Sequence, residues 1–410
     1  MTGGLIPVAE ALARVLASVA GPVAAETVPL AQAAGRTLAA DVTAVRTQPP
    51  FPASAMDGYA LRGADADVAG ASLRLIGTSA AGHGFSGRIG PGEAVRIFTG
   101  APVPDGADAI LIQEDAQAEG ATVRVLEPAE PNRFIRRAGL DFSAGETLLA
   151  AGMSLDARRL ALAAAAGHPR LSVRRRPKVA ILATGDELVE PGAAPAWDQI
   201  VASNSLALAA LASEAGAEII DLGIAADDHG ALEDAFRRAR EARADLLVTL
   251  GGASVGDHDL VQAALAREGL ELGFWRVALR PGKPLMHGRL GDMLVIGLPG
   301  NPVSSIVCGL LFVVPAIRAL QGDPQAGADR SEPATLGRDL PANDGRADYM
   351  RASLAVEPGR LPVATPEQRQ DSSMLAVLGR AEALLVRAPH EPPAAAGDPC
   401  RIIRLDRRLL

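Results

Sequence analysis

Residues 249–259 read TLGGASVGDHD and combine residue types that can hold or attack an oxyanion. The candidates are Gly251, Gly252, Ser254, Gly256, Asp257 and Asp259. Glycine carries no side chain, so backbone N–H groups can approach a phosphate closely. The aspartates would repel that phosphate unless a divalent cation such as Mg²⁺ lay between them. Three interpretations are therefore open: a phosphate cradle, a nucleophile and a metal site.

Two catalytic patterns can be weighed against this segment. A Walker A loop is excluded, because no Gly-Lys-Ser/Thr sequence follows the glycines. A nucleophile elbow, G-x-S-x-G, is matched around Ser254. In that motif the helix begins almost at the serine, whereas VGDHD separates Ser254 from the predicted helix, and no HGGG-type oxyanion loop precedes it. We therefore favour a hydrogen-bond donor at Ser254, with the hydrolase interpretation as the weaker alternative.

Each predicted strand between residues 177 and 300 is followed by groups that could bind an anion or a metal. These groups are Asp186 and Glu187, Asp227 and Asp228, Asp257 and Asp259, Arg280 and Lys283, and Pro299, Gly300, Asn301 and Pro302. The strands alternate with helices predicted at 204–215, 230–242 and 259–268, which implies right-handed crossovers and a largely parallel sheet. Ligands of such sheets bind beyond the carboxyl ends of the strands. We therefore expect these groups to share one edge.

The mixture of groups at this edge indicates the class of ligand. Taken singly, each acid or Gly-Pro turn would be an ordinary cap or turn, so the prediction depends on their coincidence. Carboxylates beside an anion-binding backbone favour Mg²⁺ shared with substrate oxygens. Arg276, Arg280 and Lys283 would hold the remaining anionic groups. Asn301 is placed to N-cap a helix that begins at Pro302. The site is predicted to bind a polyanionic substrate that carries phosphate or pyrophosphate, together with Mg²⁺.

Other elements surround this unit. Helical spacing occurs at residues 5–19 and 153–166, with Ser154 a plausible N-cap. Residues 45–138 contain short runs of alternating apolar and polar residues separated by Gly and Pro. This pattern is typical of short β-strands and predicts a β module inserted into a helical unit. Residues 327–410 return to short strands, which indicates a small terminal β domain.

A second group of polar residues lies in and just after the β module. Asp57 occupies a Ser-x-x-Asp-Gly turn and Thr99 precedes a Gly-x-Pro turn, while Arg136, Arg137 and Asp141 follow in RFIRRAGLDFSAGE. Ordinary β-turn chemistry could explain the first two residues. The arginines and Asp141 could form an ion-paired surface turn or part of an anion funnel.

Composition places the chain among cytoplasmic proteins. A net charge of -8 and a pI near 5.4 argue against a nucleic-acid partner, which would need a basic surface. Cys308 and Cys400 cannot make a disulfide framework. The N-terminus lacks the basic region of a signal peptide. The most apolar segment, PVSSIVCGLLFVVPAIRAL, contains Pro315 and Arg318, and we expect it to be a buried core helix, so no membrane span is predicted.

The ordered motifs of the chain resemble those of the MoeA family, which includes bacterial molybdopterin molybdenumtransferases and the E domain of gephyrin. The motifs are FPASAMDGYALR, RIFTGAPVPDGADAILIQED, IRRAGLDFSAGE, ILATGDEL, SNS, LGGASVGDHD, FWRVALRPGKP and GLPGNPVSS. They cover the chain to about Gly322, and the resemblance is weaker beyond that point.

The resemblance implies a four-part, multidomain α/β plus β fold. Its parts would be an elongated helical dimerisation domain (1–44 and 139–176), the β module (45–138), a MoaB/MogA-like three-layer α/β domain (177–326) and a C-terminal β-barrel-like domain (327–410). The family forms an elongated homodimer in which the β module of one subunit completes the active site of the other. This would give Asp57 and Thr99 a function.

The resemblance also implies an activity: the transfer of molybdenum from molybdate to adenylylated molybdopterin, with Mg²⁺-dependent release of AMP. Asp57, Asp259, Arg280 and Lys283 would be catalytic, with Asp57 or Asp259 positioning the attacking oxygen. Glu187, Asp257 and Asp259 would hold the metal. The remaining candidates, which would bind substrate, are Thr99, Arg136, Arg137, Asp141, Asp186, Asp227, Asp228, Gly251, Gly252, Ser254, Gly256, Arg276, Pro299, Gly300, Asn301, Pro302 and Ser372. A molybdopterin adenylyltransferase and molybdoenzyme acceptors would be partners.

The chain departs from the family pattern at a few positions. Residues 276 and 280, often Lys in the family, are Arg here, in a chain whose only lysines are Lys178 and Lys283. In RQDSSM the glycine usual before the serine is missing, so either Ser372 or Ser373 could be the family serine. Two other functions stay open: nucleotide transfer of the molybdopterin adenylyltransferase type, and a non-catalytic molybdopterin-binding scaffold.

Overall fold

Residues 5–251 and 260–405 are described by the computed structural model of the chain. They form a mainly parallel α/β unit, a β-rich module, an elongated unit of short strands and helices, and a C-terminal β barrel. The fold class predicted from the sequence is confirmed. The domain boundaries themselves stay a prediction.

The first part of the chain consists mostly of short strands joined by turns. Its helices and strands are α1 (Val8–Ala17), β1 (Ala25–Pro29), β2 (Val42–Thr43), β3 (Ala53–Ser54), β4 (Gly58–Leu61), β5 (Ser72–Ser79), β6 (Glu93–Ile97), β7 (Ala109–Ile112), β8 (Ala116–Glu119), β9 (Thr122–Val125), β10 (Ile135–Arg136), β11 (Thr147–Leu149), α2 (Ala157–Ala165) and β12 (Arg170–Arg174). The β module is one six-stranded sheet in the order β7-β4-β6-β5-β9-β8. Only β5 and β6 are parallel neighbours; the others are antiparallel.

Short antiparallel strand pairs lie in the elongated unit and where the chain enters and leaves the β module. They pair β1 with β12, β2 with β11 and β3 with β10. Helix α2 begins after Asp156, whose carboxylate accepts a hydrogen bond from the Arg159 backbone N–H at 2.9 Å. The predicted cap at Ser154 is wrong, because the carboxylate two residues later satisfies the free N–H groups of the first turn.

Helix α1 packs against the α/β unit. Ala11 and Val15 are fully buried in the same core as the central sheet. Just before the helix, Ile6 forms a parallel bridge with Val277, and the Ala278 N–H donates to the Ile6 carbonyl at 2.8 Å. The start of the chain therefore adds to the unit that contains the predicted site.

The α/β unit has the alternation of strands and helices expected from the sequence. Its elements are β13 (Lys178–Thr184), β14 (Leu188–Val189), β15 (Ile200–Val201), α3 (Asn204–Glu214), β16 (Glu218–Ala225), α4 (His229–Glu241), β17 (Leu246–Leu250), α5 (Leu260–Arg267), β18 (Glu271–Arg276), β19 (Leu279–Arg280), β20 (Pro284–Leu290), β21 (Met293–Leu298), α6 (Pro302–Cys308) and α7 (Val314–Leu320), with a π-helical turn at Gly309–Val313. The sheet order is β16-β13-β17-β21-β20-β18, and its first four strands are parallel. Helices cover both faces, so β17 and β21 are buried along their whole length.

The apolar segment at residues 302–320 is a core helix. By length and composition its 19 residues could cross a membrane, but 72% of its most apolar 18-residue stretch is buried inside the protein. Phe312 and Val314, for example, lie in the core beneath the central sheet. Burial against the sheet accounts for its apolar composition, as expected from the sequence.

The C-terminal part folds into a barrel. Its elements are β22 (Glu332–Leu336), β23 (Ala347–Ala355), β24 (Val363–Pro366), α8 (Leu375–Leu378), β25 (Ala383–Arg387) and β26 (Pro399–Arg404). The strand order is β19-β23-β24-β22-β26-β25, and pairing of β23 with β25 closes the ring. Because β19 comes from the α/β unit, the two units share backbone hydrogen bonds next to the predicted site.

Candidate active site

A cleft of about 760 Å³ opens at the carboxyl ends of the parallel strands. The predicted residues that line it are Glu187, Asp227, Gly251, Pro299, Gly300, Asn301 and Pro302. They come from the ends of four strands: β13, β16, β17 and β21. The structure thus brings together groups that the sequence placed on one sheet edge.

A close approach between β13 and β17 determines the floor of the cleft. Gly251 has a φ of +99°, and a Cβ at this position would lie 2.7 Å from the Thr184 carbonyl oxygen. Only glycine fits this backbone geometry. The other predicted residues of the segment, Gly252, Ser254, Gly256, Asp257 and Asp259, lie outside the described residues.

Three polar residues at the start of α3 line the cleft but were not predicted individually. They are Ser203, Asn204 and Ser205. The Asn204 amide donates to the Gly300 carbonyl oxygen at 2.7 Å, which joins α3 to the turn after β21. The sequence SNS at the beginning of a predicted helix could have identified them as candidate site residues. Its N-terminal N–H groups favour an anion.

The acidic residues at the cleft repel one another. Burial, followed by the charges of Asp186 and Glu187, raises the pKa of the Asp227 carboxyl above its ordinary value. The Asp227 backbone N–H donates to Asp186 Oδ1 at 3.1 Å. Asp228 has a different role, because its carboxylate accepts from the Ala231 N–H at 2.9 Å and caps α4.

The acids fit a metal that is shared with a substrate. Within residues 5–251 and 260–405, no group of three or more His, Cys, Asp or Glu side chains is arranged to hold a metal ion. Mg²⁺, however, usually takes one or two carboxylates and completes its shell with waters and substrate phosphates. Glu187 and Asp227 at the cleft provide that kind of donor set.

Positive side chains are missing from the lining of the cleft in the part of the chain that the structure describes: none of these lining residues is Lys or Arg. Lys283 is exposed and precedes Pro284, which lines the cleft. Arg276 is exposed at the end of β18. Attraction of an anion by the described lining therefore depends on the N-termini of α3 and of the helical segment that begins at Pro302.

Arg280 points toward the C-terminal barrel. Its guanidinium donates to Asp348 at 2.7 and 3.0 Å, to Asp344 at 3.1 Å and to Asn343 at 3.0 Å. The hydrogen bonds from Arg280 to Asp348 raise the pKa of the guanidinium above its ordinary value. The structure therefore gives Arg280 an ion-pairing role between the two units and does not place it in the cleft lining.

A loop of the C-terminal barrel closes one side of the cleft. The Asn301 amide donates to Ser372 Oγ at 2.9 Å, and the Val303 N–H donates to the Ser372 carbonyl oxygen at 3.1 Å. Asn301 does occupy the cap position, but its side chain makes no capping bond, so the predicted capping interaction is wrong. Ser373, rather than Ser372, lines the cleft.

Arg351 supports this loop and was missed in the sequence. Only 1% of the residue is exposed, and its Nη2 donates to the Asp371 carbonyl oxygen at 2.9 Å. Its backbone N–H donates to the Gln370 side chain at 2.9 Å. The sequence around Arg351 does not indicate this contact, because its partner Asp371 lies 20 residues later on a loop that only the fold brings close.

Asp57 and Thr99 meet at the end of the β module. Asp57 Oδ1 accepts the Thr99 backbone N–H at 2.7 Å and the Thr99 hydroxyl at 2.9 Å. These two bonds, with a smaller contribution from the Arg96 charge, lower the pKa of the Asp57 carboxyl below its ordinary value. Neither residue lines the cleft of its own chain.

The remaining predicted residues lie at the base of the β module. Arg136, on β10, is opposite Ala53 on β3, and Arg137 is exposed directly after it. Asp141 is also exposed, and its backbone N–H donates to the Gln48 carbonyl oxygen at 3.0 Å. These side chains are accessible but do not line the cleft.

Comparison with known families covers nearly the whole chain. Family profiles match at residues 6–167 (MoeA N-terminal region, domain I and II), 180–319 (probable molybdopterin binding domain) and 333–405 (MoeA C-terminal region, domain IV). A molybdopterin molybdenumtransferase of Haemophilus influenzae is 37% identical over 86% of this chain and 87% of its own length. The chain belongs to the MoeA family. The predicted enzyme class, a transferase of molybdenum cofactor biosynthesis, is confirmed.

A second relative and a solved structure are also similar to this chain over most of its length. A molybdopterin molybdenumtransferase of Nostoc sp. is 36% identical over 93% of this chain and 88% of its own length. The crystal structure of the molybdopterin biosynthesis MoeA protein from Pyrococcus horikoshii OT3 superposes with a TM-score of 0.84 at 28% identity, over 97% of this chain and 99% of that one. The four-part architecture of the MoeA family therefore extends through the described chain.

Proposed function

We propose that this enzyme inserts molybdenum from molybdate into adenylylated molybdopterin and releases AMP in a Mg²⁺-dependent reaction. The main support is the cleft, in which Glu187, Asp227 and the Gly251 turn lie together on a chain that matches all three MoeA-family profiles named above. A cleft of about 760 Å³ has the size of small-molecule sites.

The described residues have distinct parts in this reaction. The N–H groups at the start of α3 bind a phosphate of the substrate, and Asn204 fixes the turn at Gly300 against them. An oxygen nucleophile, from water or molybdate, adds to the pyrophosphate phosphorus on the molybdopterin side. The bridging P–O bond breaks, and its electron pair stays on the oxygen of the departing AMP phosphate. Lys283, exposed beside the cleft, is available to the leaving phosphate.

Glu187 and Asp227 would hold Mg²⁺, with Asp186 close by. When bound there, Mg²⁺ would offset the negative charge on the phosphate oxygens. The charges of Asp186 and Glu187 contribute to the raised pKa of the Asp227 carboxyl. This repulsion supports the assignment, because a shared cation would relieve it.

We further infer a homodimer in which the Asp57–Thr99 turn completes the cleft of a second copy. This turn is ordered by its own hydrogen bonds, although it does not line the cleft of its own chain. Its neighbours Met56 and Phe98 are 37% and 39% exposed, which is apolar surface that a partner subunit would cover. Cytoplasmic location, supply of substrate by a molybdopterin adenylyltransferase and delivery of product to molybdoenzymes belong to the same proposal.

The test is incubation of the purified protein with adenylylated molybdopterin, molybdate and Mg²⁺, with AMP measured over time. We expect AMP release to require both molybdate and Mg²⁺ and to need no ATP. AMP release without molybdate would contradict the proposal. Consumption of ATP with adenylylation of free molybdopterin would support the adenylyltransferase alternative instead.

A further inference from the structure

Arg96 has an unusual setting at the end of the β module. Its guanidinium carbon lies 4.9 Å from the centre of the Tyr59 ring and 5.1 Å from that of Phe98. Nη1 donates to the Gly58 carbonyl oxygen at 3.3 Å, and Nη2 donates to Gln113 Oε1 at 2.9 Å. These contacts hold the guanidinium over both rings by cation–π attraction and two hydrogen bonds.

All four partners of Arg96 adjoin the Asp57–Thr99 turn. Gly58 and Tyr59 follow Asp57 directly, and Phe98 precedes Thr99. The Gln113 backbone N–H donates to the Asp57 carbonyl oxygen at 3.0 Å. Arg96 therefore contacts both chain segments that form the turn, the one next to Asp57 and the one next to Thr99, although these two residues are 42 positions apart in sequence.

The charge of Arg96 remains available to Asp57. Within the described chain, its contacts are ring faces, a carbonyl and an amide oxygen, none of which is a carboxylate. Other arginines of the module, such as Arg74 with Glu93, form ion pairs instead. A cation without an ion-pair partner can still act on a nearby acid, and the charge of Arg96 contributes to the lowered pKa of the Asp57 carboxyl, after the two Thr99 hydrogen bonds.

We propose that Arg96 is a positioning residue, which holds the Asp57 carboxylate in its alignment with Thr99 for a substrate bound in the cleft of a second copy. This inference rests on the function and the shared site proposed above. Asp57 Oδ1 is occupied by the two Thr99 donors, so Oδ2 is the oxygen that faces the substrate. Arg96 acts on it through Gly58, Phe98 and its own charge.

A simpler interpretation is that Arg96 only stabilises the sheet of the β module. The two interpretations differ at the Thr99 amide, whose hydrogen bond to Asp57 depends on the alignment of the turn. A merely structural Arg96 would affect the stability of the module as a whole. A positioning Arg96 would affect this bond while the sheet remains intact.

The first experiment compares Arg96→Met with Arg74→Met in the full-length protein. Methionine keeps apolar packing over the rings but removes the charge and both hydrogen bonds, and Arg74 is an exposed arginine on the neighbouring strand β5. Hydrogen exchange should show the Thr99 amide exchanging about tenfold faster in Arg96→Met than in wild type, with no change in Arg74→Met. Unchanged exchange at Thr99, or equal acceleration throughout the module, would overturn the proposal.

The second experiment measures molybdate-dependent AMP release against pH. Arg96→Met should lower kcat more than it raises KM, and the acidic limit of activity should move to higher pH as Asp57 loses a nearby positive charge. Arg96→Lys, which keeps the charge, should restore the pH limit but only part of kcat. An unshifted limit in Arg96→Met would contradict the role of its charge.

The proposed role of Asp57 in the shared site and the proposed role of Arg96 can be refuted separately. If Asp57→Asn keeps full activity, the shared site is wrong, whereas the exchange rate at Thr99 still reports whether Arg96 aligns the turn. If Asp57→Asn loses activity and Thr99 exchange is unaffected by Arg96→Met, the proposed role of Asp57 stands and the positioning role of Arg96 is refuted.

Discussion

The cleft and the Asp57–Thr99 turn hold carboxylates in opposite electrostatic settings. In the cleft, burial and the neighbouring charges of Asp186 and Glu187 raise the pKa of Asp227. On the β module, the two Thr99 donors and then Arg96 lower the pKa of Asp57. One carboxylate carries a penalty for being charged, and the other is stabilised in its charged form.

This difference indicates what each region requires. The described lining of the cleft contains two acids and no Lys or Arg, and the Mg²⁺ proposed above would supply positive charge there. Asp57 already accepts two hydrogen bonds from Thr99 of its own module, so in the proposed reaction it would orient a substrate group rather than hold a cation. A shared active site would combine these two complementary properties.

The largest expected effect comes from removing a cleft carboxylate. Glu187→Gln should lower molybdate-dependent AMP release by about 10²–10³-fold, because the cation loses a charged ligand beside the reacting phosphates. The matched control is Glu190→Gln, an exposed residue after the adjacent strand β14, which should remain active. Wild-type activity in Glu187→Gln would show that the cleft carboxylates are not needed as metal ligands, and the proposed contrast with Asp57 would be wrong.

A second prediction tests whether the two regions cooperate between copies. Asp57→Asn and Glu187→Gln should each be nearly inactive alone. Mixing and refolding them together should restore roughly a quarter of wild-type AMP release, since half of the dimers are mixed and each mixed dimer has one intact site. Failure of the mixture, with dimers present by light scattering, would place both residues in the site of one chain.

A third prediction concerns a cation that lies near the cleft but is already paired. Arg280→Met should lower the free energy of unfolding by about 1–2 kcal/mol, because the buried Asp348 loses its partner, while solvent around the partly exposed Arg280 screens part of the loss. Arg346→Met, which removes only an ion pair to Asp344, should cost less. A loss of AMP release far beyond the loss of folded protein would instead support the predicted role of Arg280 at the leaving phosphate.

The smallest effect is on stability at Asp227. Its raised pKa means that the folded state favours the protonated acid, so this contribution to stability is present at low pH and is lost as pH rises through the raised pKa. Asp227→Asn should therefore increase the unfolding midpoint by about 1–2 °C at pH 7 and leave it unchanged below the ordinary pKa of aspartate. A lower midpoint at pH 7 would mean that the cleft carboxylates are not in repulsion.

Much of the α/β unit was predictable from local patterns. Apolar runs such as KVAILAT and MLVIGL became buried strands, and the helices between them began within about one residue of prediction, inside the usual uncertainty of helix ends. Parallel strands then required Glu187, Asp227 and Gly251 to meet at one edge, because their carboxyl ends point the same way.

Side-chain partners were less predictable. The sequence suggested that Asn301 would cap a helix, yet its amide binds Ser372, 71 residues later. It suggested that Arg280 would face a phosphate, yet the guanidinium binds Asp348 and Asp344, because the pairing of β19 with β23 carries it to the barrel.

The sequence by itself determined the order of strands and helices, the polar groups at the strand ends and the MoeA-family resemblance, since these depend on residue type and short-range spacing. Only the tertiary structure decided that Thr99 hydrogen-bonds Asp57, that Arg96 contacts the Tyr59 and Phe98 rings, and that the 370–375 loop borders the cleft. These contacts join residues far apart in the chain, and their geometry follows from how whole units pack.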